Sequence, residues 1–90
     1  MEILERQIQI TNKLGLHTRP AGKLLETAGN FNCDVQLIRD GEEANLKNIL
    51  DVLSLACPQG TRITIRVAGD DPKPAMDAIT ELIGNNFGEE

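Results

Sequence analysis

The sequence predicts an α+β fold in which three helices cover one face of a four-stranded antiparallel sheet. Four segments alternate apolar and polar side chains with the period of a strand, and three others carry apolar stripes with the period of a helix. These segments follow one another in the order β-α-β-β-α-β-α. The polar sides of the strands indicate that one sheet face is open to water, so we expect an open-faced two-layer sandwich.

The strand segments are short and are separated by recognisable turns. Asp40 and Gly41 predict a tight primed turn between the second and third strands, because this pair accepts positive φ angles. The third strand carries Glu42 and Glu43 and is expected to lie at a sheet edge. The predicted strands cover residues 4–11, 33–38, 42–46 and 62–67. The inward-facing residues expected on strands and helices are Ile8, Ile10, Leu24, Val35, Leu37, Ile63, Ile65, Ala78, Ile79 and Leu82.

The three helices are predicted from apolar stripes and from their end residues. The first runs to about residue 28, with Thr18 as its N-cap, Pro20 in its first turn and Gly29 as its stop. The second covers residues 47–55, and Asn48 can cap it. The last helix is expected to begin at Asp70 and Asp71 and to end at Gly84, and Pro72 and Pro74 fit only in its first turn. Residues 85–90 are polar and are expected to fray.

Length and composition restrict the class of protein. Ninety residues suit one domain, residues 1–90. A net charge of -5 and only two aromatic residues argue against nucleic-acid binding, which needs basic and stacking surfaces. No apolar run is long enough for a membrane span, and no signal peptide opens the chain, so we expect a cytoplasmic monomer. One histidine and two distant cysteines predict no metal site, and no cofactor is expected; Cys33 is expected to be a buried reduced thiol.

The only histidine, His17, lies directly before the predicted first helix. Free backbone N–H groups and the positive end of the helix dipole meet at such a position, which favours phosphate binding. Arg19 adds a planar cation that matches phosphate oxygens. The pattern therefore predicts a nucleophilic imidazole beside a phosphate site. The alternative interpretation is a surface or capping histidine.

Two segments resemble the signatures of a known family. Residues 15–21, GLHTRPA, are similar to the active-site signature of the histidine-containing phosphocarrier proteins, the HPr family of the phosphoenolpyruvate phosphotransferase system. Residues 45–55, NLKNILDVLSL, resemble the second signature of that family, and the PQG and ITI segments follow in the same order. The resemblance extends over nearly the whole chain.

The resemblance implies that the protein is a phosphoryl carrier, not an enzyme by itself. His17 Nδ1 would accept a phosphoryl group from an enzyme I-type protein, which obtains it from phosphoenolpyruvate, and pass it to a IIA-type acceptor. Arg19 would neutralise charge, and the backbone N–H groups of Thr18 and Arg19 would bind phosphate oxygens. The alternative is a regulatory binding module that no longer cycles phosphate. The presence of both His17 and Arg19 favours the carrier.

The second helix has a surplus of apolar residues, and the resemblance places Ile49, Leu50 and Leu53 beside the His17 loop. We therefore expect one docking face for donor and acceptor. The alternative is that Ile49 and Leu53 belong to the core. The residues expected on this face are Thr18, Arg19, Lys23, Lys47, Asn48, Ile49, Leu50 and Leu53.

Two details resemble the nitrogen-related NPr branch of the family. Asn48 stands where many members carry a serine that a kinase phosphorylates, and asparagine cannot accept that phosphate. Residues 86–90, NFGEE, resemble the Phe-Gly and acidic tail of that branch. These residues are compatible with a role in sugar uptake and with a role in a regulatory cascade.

Overall fold

The computed structural model describes residues 1–89 and contains a four-stranded antiparallel sheet with three helices on one face. This architecture and the element order confirm the predicted fold class. The sheet order is β1-β4-β2-β3, so β4 and β2 are central. The elements are β1 (Glu2–Gln9), α1 (Thr18–Gly29), β2 (Asp34–Arg39), β3 (Glu42–Asn45), α2 (Ile49–Ser54), β4 (Arg62–Gly69), α3 (Lys73–Gly84) and a final 3₁₀ turn (Asn86–Gly88).

The first strand begins and ends two residues earlier than its alternation predicts. Glu2 pairs with Gly69, so the long partner strand β4 extends the start of β1. At the other end Ile10 leaves the regular ladder. Its N–H donates to Thr61 O at 2.8 Å, and it accepts from Gly60 N–H at 2.7 Å, in the turn before β4. Pairing with distant residues therefore determines both ends of this strand. The local alternation of apolar and polar residues does not indicate those ends.

The turn between β2 and β3 confirms the sequence prediction. Asp40 has a φ of 50° and Gly41 a φ of 82°, as a primed turn requires. The flanking residues Arg39 and Glu42 pair directly. β3 lies at the sheet edge, also as predicted.

One apolar core lies between the sheet and the helices. Of the predicted inward residues, Ile8 and Leu82 are only partly buried, and Ala78 is half-exposed and outside the core. Met76 is almost fully buried instead, because the buried stripe of α3 is turned toward residues 75, 76, 79 and 83. The predicted inward residues that are fully buried are Ile10, Leu24, Val35, Leu37, Ile63, Ile65 and Ile79.

The helix ends agree with the sequence in part. Thr18 is not the N-cap of α1: it is the first helical residue, and His17 occupies the cap position without a side-chain cap bond. Gly29 is the last helical residue, followed by Asn30 as C-cap. α2 is shorter than predicted, since Lys47 and Leu55 lie outside it. Asn48 caps this helix as expected, because Asn48 Oδ1 accepts from the N–H groups of residues 50 and 51.

The start of α3 also differs, because Pro72 is its N-cap and neither Asp70 nor Asp71 lies in its first turn. Pro74 does lie in that turn, and the helix ends at Gly84 as predicted.

The prediction that the tail frays is wrong for residues 85–89. Phe87 is 1% exposed and belongs to the core. Asn86 and Phe87 adopt positive φ angles of 54° and 57°, which turn the chain back toward the start of α1. Burial of one large aromatic side chain outweighs the polar character of its neighbours. Glu90, which the same prediction included, lies outside the described residues.

Both cysteines are free and buried, which confirms the interpretation of Cys33 as a buried thiol. Burial raises the pKa of the Cys57 thiol above its ordinary value, and the neighbouring Arg39 opposes this shift. A buried thiol with a raised pKa is a poor nucleophile.

Candidate functional site

The loop before α1 is held against the turn that follows α2. Leu16 N–H donates to Cys57 O at 2.8 Å. Gly15 has a φ of +69°, and a Cβ built there would lie 2.5 Å from Cys57 O, so only glycine fits. From inside the loop, Asn12 Nδ2 donates to Gly15 O at 2.8 Å. These contacts fix the position of the next residues, which begin the helix.

The start of α1 presents free backbone donors. Ala21 N–H donates to His17 O at 3.0 Å and closes the first turn. The N–H groups of Thr18 and Arg19 have no backbone or side-chain partner among residues 1–89, and Pro20 has no N–H. No acidic residue lies in the first turn to compensate the helix dipole. This end of α1 can therefore bind an anion.

His17 is half-buried, with 33% of its side chain exposed. Its Nε2 is enclosed and lies 3.4 Å from Oε2 of Glu89. Nδ1 has no hydrogen-bond partner among the described residues, and the ring lines an open depression in the surface. The two ring nitrogens thus have different environments, because only Nε2 is enclosed beside a carboxylate.

Three cations surround this depression, which has a volume of about 540 Å³. Arg19 is exposed and makes no ion pair or side-chain hydrogen bond within residues 1–89. Lys23 donates to Phe87 O at 2.6 Å and is thereby held beside the helix start. The net charge of the protein is -5, so this basic cluster is a local exception. The lining residues are Lys13, Leu14, His17, Arg19, Lys23, Gly88 and Glu89.

The residues of the predicted docking face divide into two groups. Thr18, Arg19 and Lys23 lie at the histidine end of α1. Lys47 does not: its amine donates to Phe31 O at 2.9 Å, beyond the C-terminal end of α1 and about 18 Å along that helix from His17. Asn48 begins α2 near the same end.

The apolar residues of α2 differ in exposure. Leu50 is 76% exposed and Ile49 is 36% exposed, whereas Leu53 is partly buried against the core. Sequence reasoning left a docking role and a core role open for Ile49 and Leu53. In the structure Ile49 lies on the surface, as the docking role requires. Leu53 is partly buried, so its exposure lies between the values expected for a docking residue and for a core residue.

The sequence analysis missed four residues of the depression, which are Lys13, Leu14, Gly88 and Glu89. Lys13 and Leu14 precede the GLH segment directly, and the 74% exposure of Leu14 adds an apolar surface beside His17. A large apolar residue in a polar loop was the available signal. Glu89 comes from the tail, and only Phe87 nearby indicated that this tail would fold back.

Within residues 1–89, no three His, Cys, Asp or Glu side chains are close enough together to hold a metal ion. No helix in this part of the chain is long and apolar enough to cross a membrane. The ionisable side chains that line the depression are one imidazole, three cations and the carboxylate of Glu89.

Comparisons with known proteins identify the family of this chain. A family model described as the PTS HPr component phosphorylation site matches residues 4–85. Phosphocarrier protein HPr of Xylella fastidiosa (strain Temecula1) is 43% identical, over 98% of this chain and 99% of that protein. Phosphocarrier protein NPr of Shewanella violacea is 38% identical, over 99% of this chain and 98% of that one.

A solved structure is similar over the same length. The crystal structure of HPr from Thermoanaerobacter tengcongensis superposes with a TM-score of 0.93 at 38% identity, covering 97% of this chain and 98% of that chain. The agreement extends from the sequence signature to the whole fold. The chain belongs to the HPr family of phosphocarrier proteins of the phosphotransferase system.

Proposed function

We propose that this protein carries a phosphoryl group on His17. It accepts the group at Nδ1 from a phosphorylated enzyme I-type protein, which is charged by phosphoenolpyruvate, and passes it to a histidine of a IIA-type acceptor. The protein does not complete a reaction alone, so it is a carrier and not a stand-alone enzyme.

One observation supports this function above all others. An imidazole with an unoccupied Nδ1 stands beside two free backbone N–H groups, in a depression that also presents Lys13, Arg19 and Lys23. A histidine that served only as a cap or surface residue would not need three cations around it. Family membership agrees with the same chemistry.

The transfer follows from this arrangement. The lone pair of neutral His17 Nδ1 attacks phosphorus, while the bond from phosphorus to the donor histidine breaks and its electron pair returns to that ring. Such transfers depend on in-line positioning and charge neutralisation more than on covalent help. Arg19 neutralises the negative charge on the equatorial oxygens of the phosphoryl group. The backbone N–H groups of Thr18 and Arg19 donate hydrogen bonds to these oxygens from fixed positions. The reverse geometry delivers the group to the acceptor.

The proposal is tested by incubating the protein with phosphoenolpyruvate and an enzyme I, then measuring intact mass. We expect a gain of one phosphoryl group that is labile in acid and stable in alkali, as a phosphoramidate is. A second incubation with a IIA-type protein should remove it. Failure to gain mass would favour a regulatory binding module of the same fold.

The docking face leads to a separate prediction about α2. We expect Ile49→Glu to weaken transfer in both directions, because a charge would replace an exposed apolar side chain of the docking face. The free energy of unfolding should change by only about 1 kcal/mol or less, as at a surface site. Transfer rates at several donor concentrations and a thermal melt measure the two effects.

Ile3→Glu is the matched control for this prediction. Ile3 is 61% exposed on β1, on the sheet side of the molecule, so the same change should leave transfer intact. A large fall in melting temperature of Ile49→Glu, with normal transfer by the folded fraction, would place Ile49 in the core and contradict the docking role.

Asn48 leads to a prediction about regulation. A serine kinase that modifies family members at this position should leave the protein unmodified with ATP, because Asn48 has no hydroxyl. Asn48→Ser is the matched variant, since serine also caps helices well and should preserve the start of α2. Intact mass after incubation with kinase and ATP measures the outcome. Phosphate on Ser54, whose hydroxyl donates to Asp51 O, would contradict the prediction if it altered transfer.

A further inference from the structure

The carboxylate of Glu89 faces the enclosed side of the His17 ring. Glu89 Oε2 and His17 Nε2 are 3.4 Å apart, and both atoms are enclosed. Neither has a hydrogen-bond partner among residues 1–89. Enclosed polar atoms in folded proteins are nearly always paired. A closing movement of about 0.5 Å would bring the two atoms to ordinary hydrogen-bond distance, so each is the natural partner of the other.

Several contacts hold Glu89 in this place. Its other carboxylate oxygen, Oε1, accepts from Asn12 Nδ2 at 3.1 Å, and Asn12 is fully buried. Its backbone N–H donates to Asn86 O at 2.8 Å. The preceding residues are anchored by the buried Phe87 ring and by Lys23, which donates to Phe87 O. The tail therefore presents a fixed carboxylate and not a loosely placed one.

We propose that Glu89 is a positioning residue for phosphoryl transfer, and that it acts through the side of the His17 ring opposite to the reacting nitrogen. The partner of one ring nitrogen decides which nitrogen carries the proton. A carboxylate beside Nε2 keeps the proton there, so the Nδ1 lone pair is free in the depression. Asn12 orients the carboxylate through its second oxygen. The kinetic part of this inference rests on the proposed function.

The same contact offsets the charge that forms during transfer. As Nδ1 donates its lone pair to phosphorus, positive charge develops on the ring, which keeps its proton on Nε2. Glu89 lies beside that proton, and its negative charge stabilises the ring cation without reaching the phosphoryl group. The carboxylate of a Ser-His-Asp triad has this orienting and charge-stabilising role toward its histidine. Lys13, Arg19 and Lys23 line the same depression as Glu89, and their positive charges limit repulsion between Glu89 and the incoming anion.

The first test needs no phosphoryl transfer and uses the unphosphorylated full chain. Nitrogen NMR of the isotope-labelled protein at alkaline pH, where the ring is neutral, reports which ring nitrogen carries the proton. We expect one tautomer, with the proton on Nε2 and slow exchange of that proton with water. Glu89→Ala should give a mixture of both tautomers and fast exchange. Identical spectra of the native protein and Glu89→Ala would overturn the proposal.

The second test measures the rate of phosphorylation by phosphorylated enzyme I. Glu89→Gln keeps the shape and removes the charge, and we expect it to be about tenfold slower, in the range found when the carboxylate partner of a metal-ligating histidine is removed. The control is Glu81→Gln, which removes one negative charge at an exposed position of α3 and should react at the native rate.

An unchanged rate for Glu89→Gln would overturn the proposal, and so would a faster rate, which would identify Glu89 as a competitor of phosphate. A native protein that accepts no phosphate would refute the proposed function instead, while the tautomer measurement would still decide the role of Glu89.

Discussion

Replacing His17 by alanine is expected to abolish phosphorylation by phosphoenolpyruvate and an enzyme I. The chain contains no other histidine, so no second imidazole can take over. The fold should persist, because the His17 side chain makes no cap bond and is one-third exposed. A single substitution at a half-buried position of this kind costs about 1 kcal/mol. For a domain of this size that corresponds to a melting temperature within about 8 °C of the native value.

Intact mass and a thermal melt on the same samples check this prediction. Native protein should gain one phosphoryl group, and His17→Ala should gain none while it still melts cooperatively. His17→Gln is a second variant, since its amide can still donate toward Glu89 and preserve the tail. A phosphorylated, folded His17→Ala would contradict the mechanism, because the phosphoryl group would then reside on another side chain.

The fold was predictable because its signals are local and repeated. Ile63, Ile65 and Val67 alternate with polar residues, and this period sets one face of β4 toward the core whatever the neighbouring strands are. Asn48 follows a turn at residues 46 and 47 and starts α2 through its own side chain, so its role follows from its position alone. The order of such segments and the polar strand faces were sufficient for the architecture.

Element ends were less predictable, because distant partners determine them. Glu2 is in β1 only since Gly69 is available to pair with it. Met76 is buried in place of Ala78 because α3 turns residues 75, 76, 79 and 83 toward the core. These outcomes depend on packing between elements, which a period of 3.6 or 2 does not encode.

The candidate site also contains residues that the local sequence predicts and residues that it does not. His17, Thr18 and Arg19 lie within one short segment, so their grouping could be read from the sequence. Glu89 lies 77 positions after its partner Asn12, and no local pattern connects them. Lys47 was grouped with the histidine because it is basic, but its amine reaches the other end of α1. Charge alone did not indicate location.

Replacing Arg19 by alanine is expected to slow phosphoryl transfer by about 10²-fold or more, as for loss of one transition-state charge contact. The guanidinium is exposed, unpaired within residues 1–89, and borders the depression with His17. Its removal should therefore leave stability nearly unchanged, and alanine at the second helical position favours the helix. Arg19→Lys should recover part of the rate, because lysine restores the charge but lacks the planar fork.

Single-turnover transfer from phosphorylated enzyme I, measured at saturating donor, separates this effect from weaker docking. Arg62→Ala is the control: Arg62 is an exposed cation on β4 without a side-chain partner among the described residues, and its loss removes the same charge. It should transfer at close to the native rate. An equal loss in Arg19→Ala and Arg62→Ala would mean that overall charge guides the encounter. If Arg19 contacts the phosphoryl group, only Arg19→Ala should be slow. Its rate should also stay low when the ionic strength is raised, because a contact inside the complex is screened less than long-range attraction.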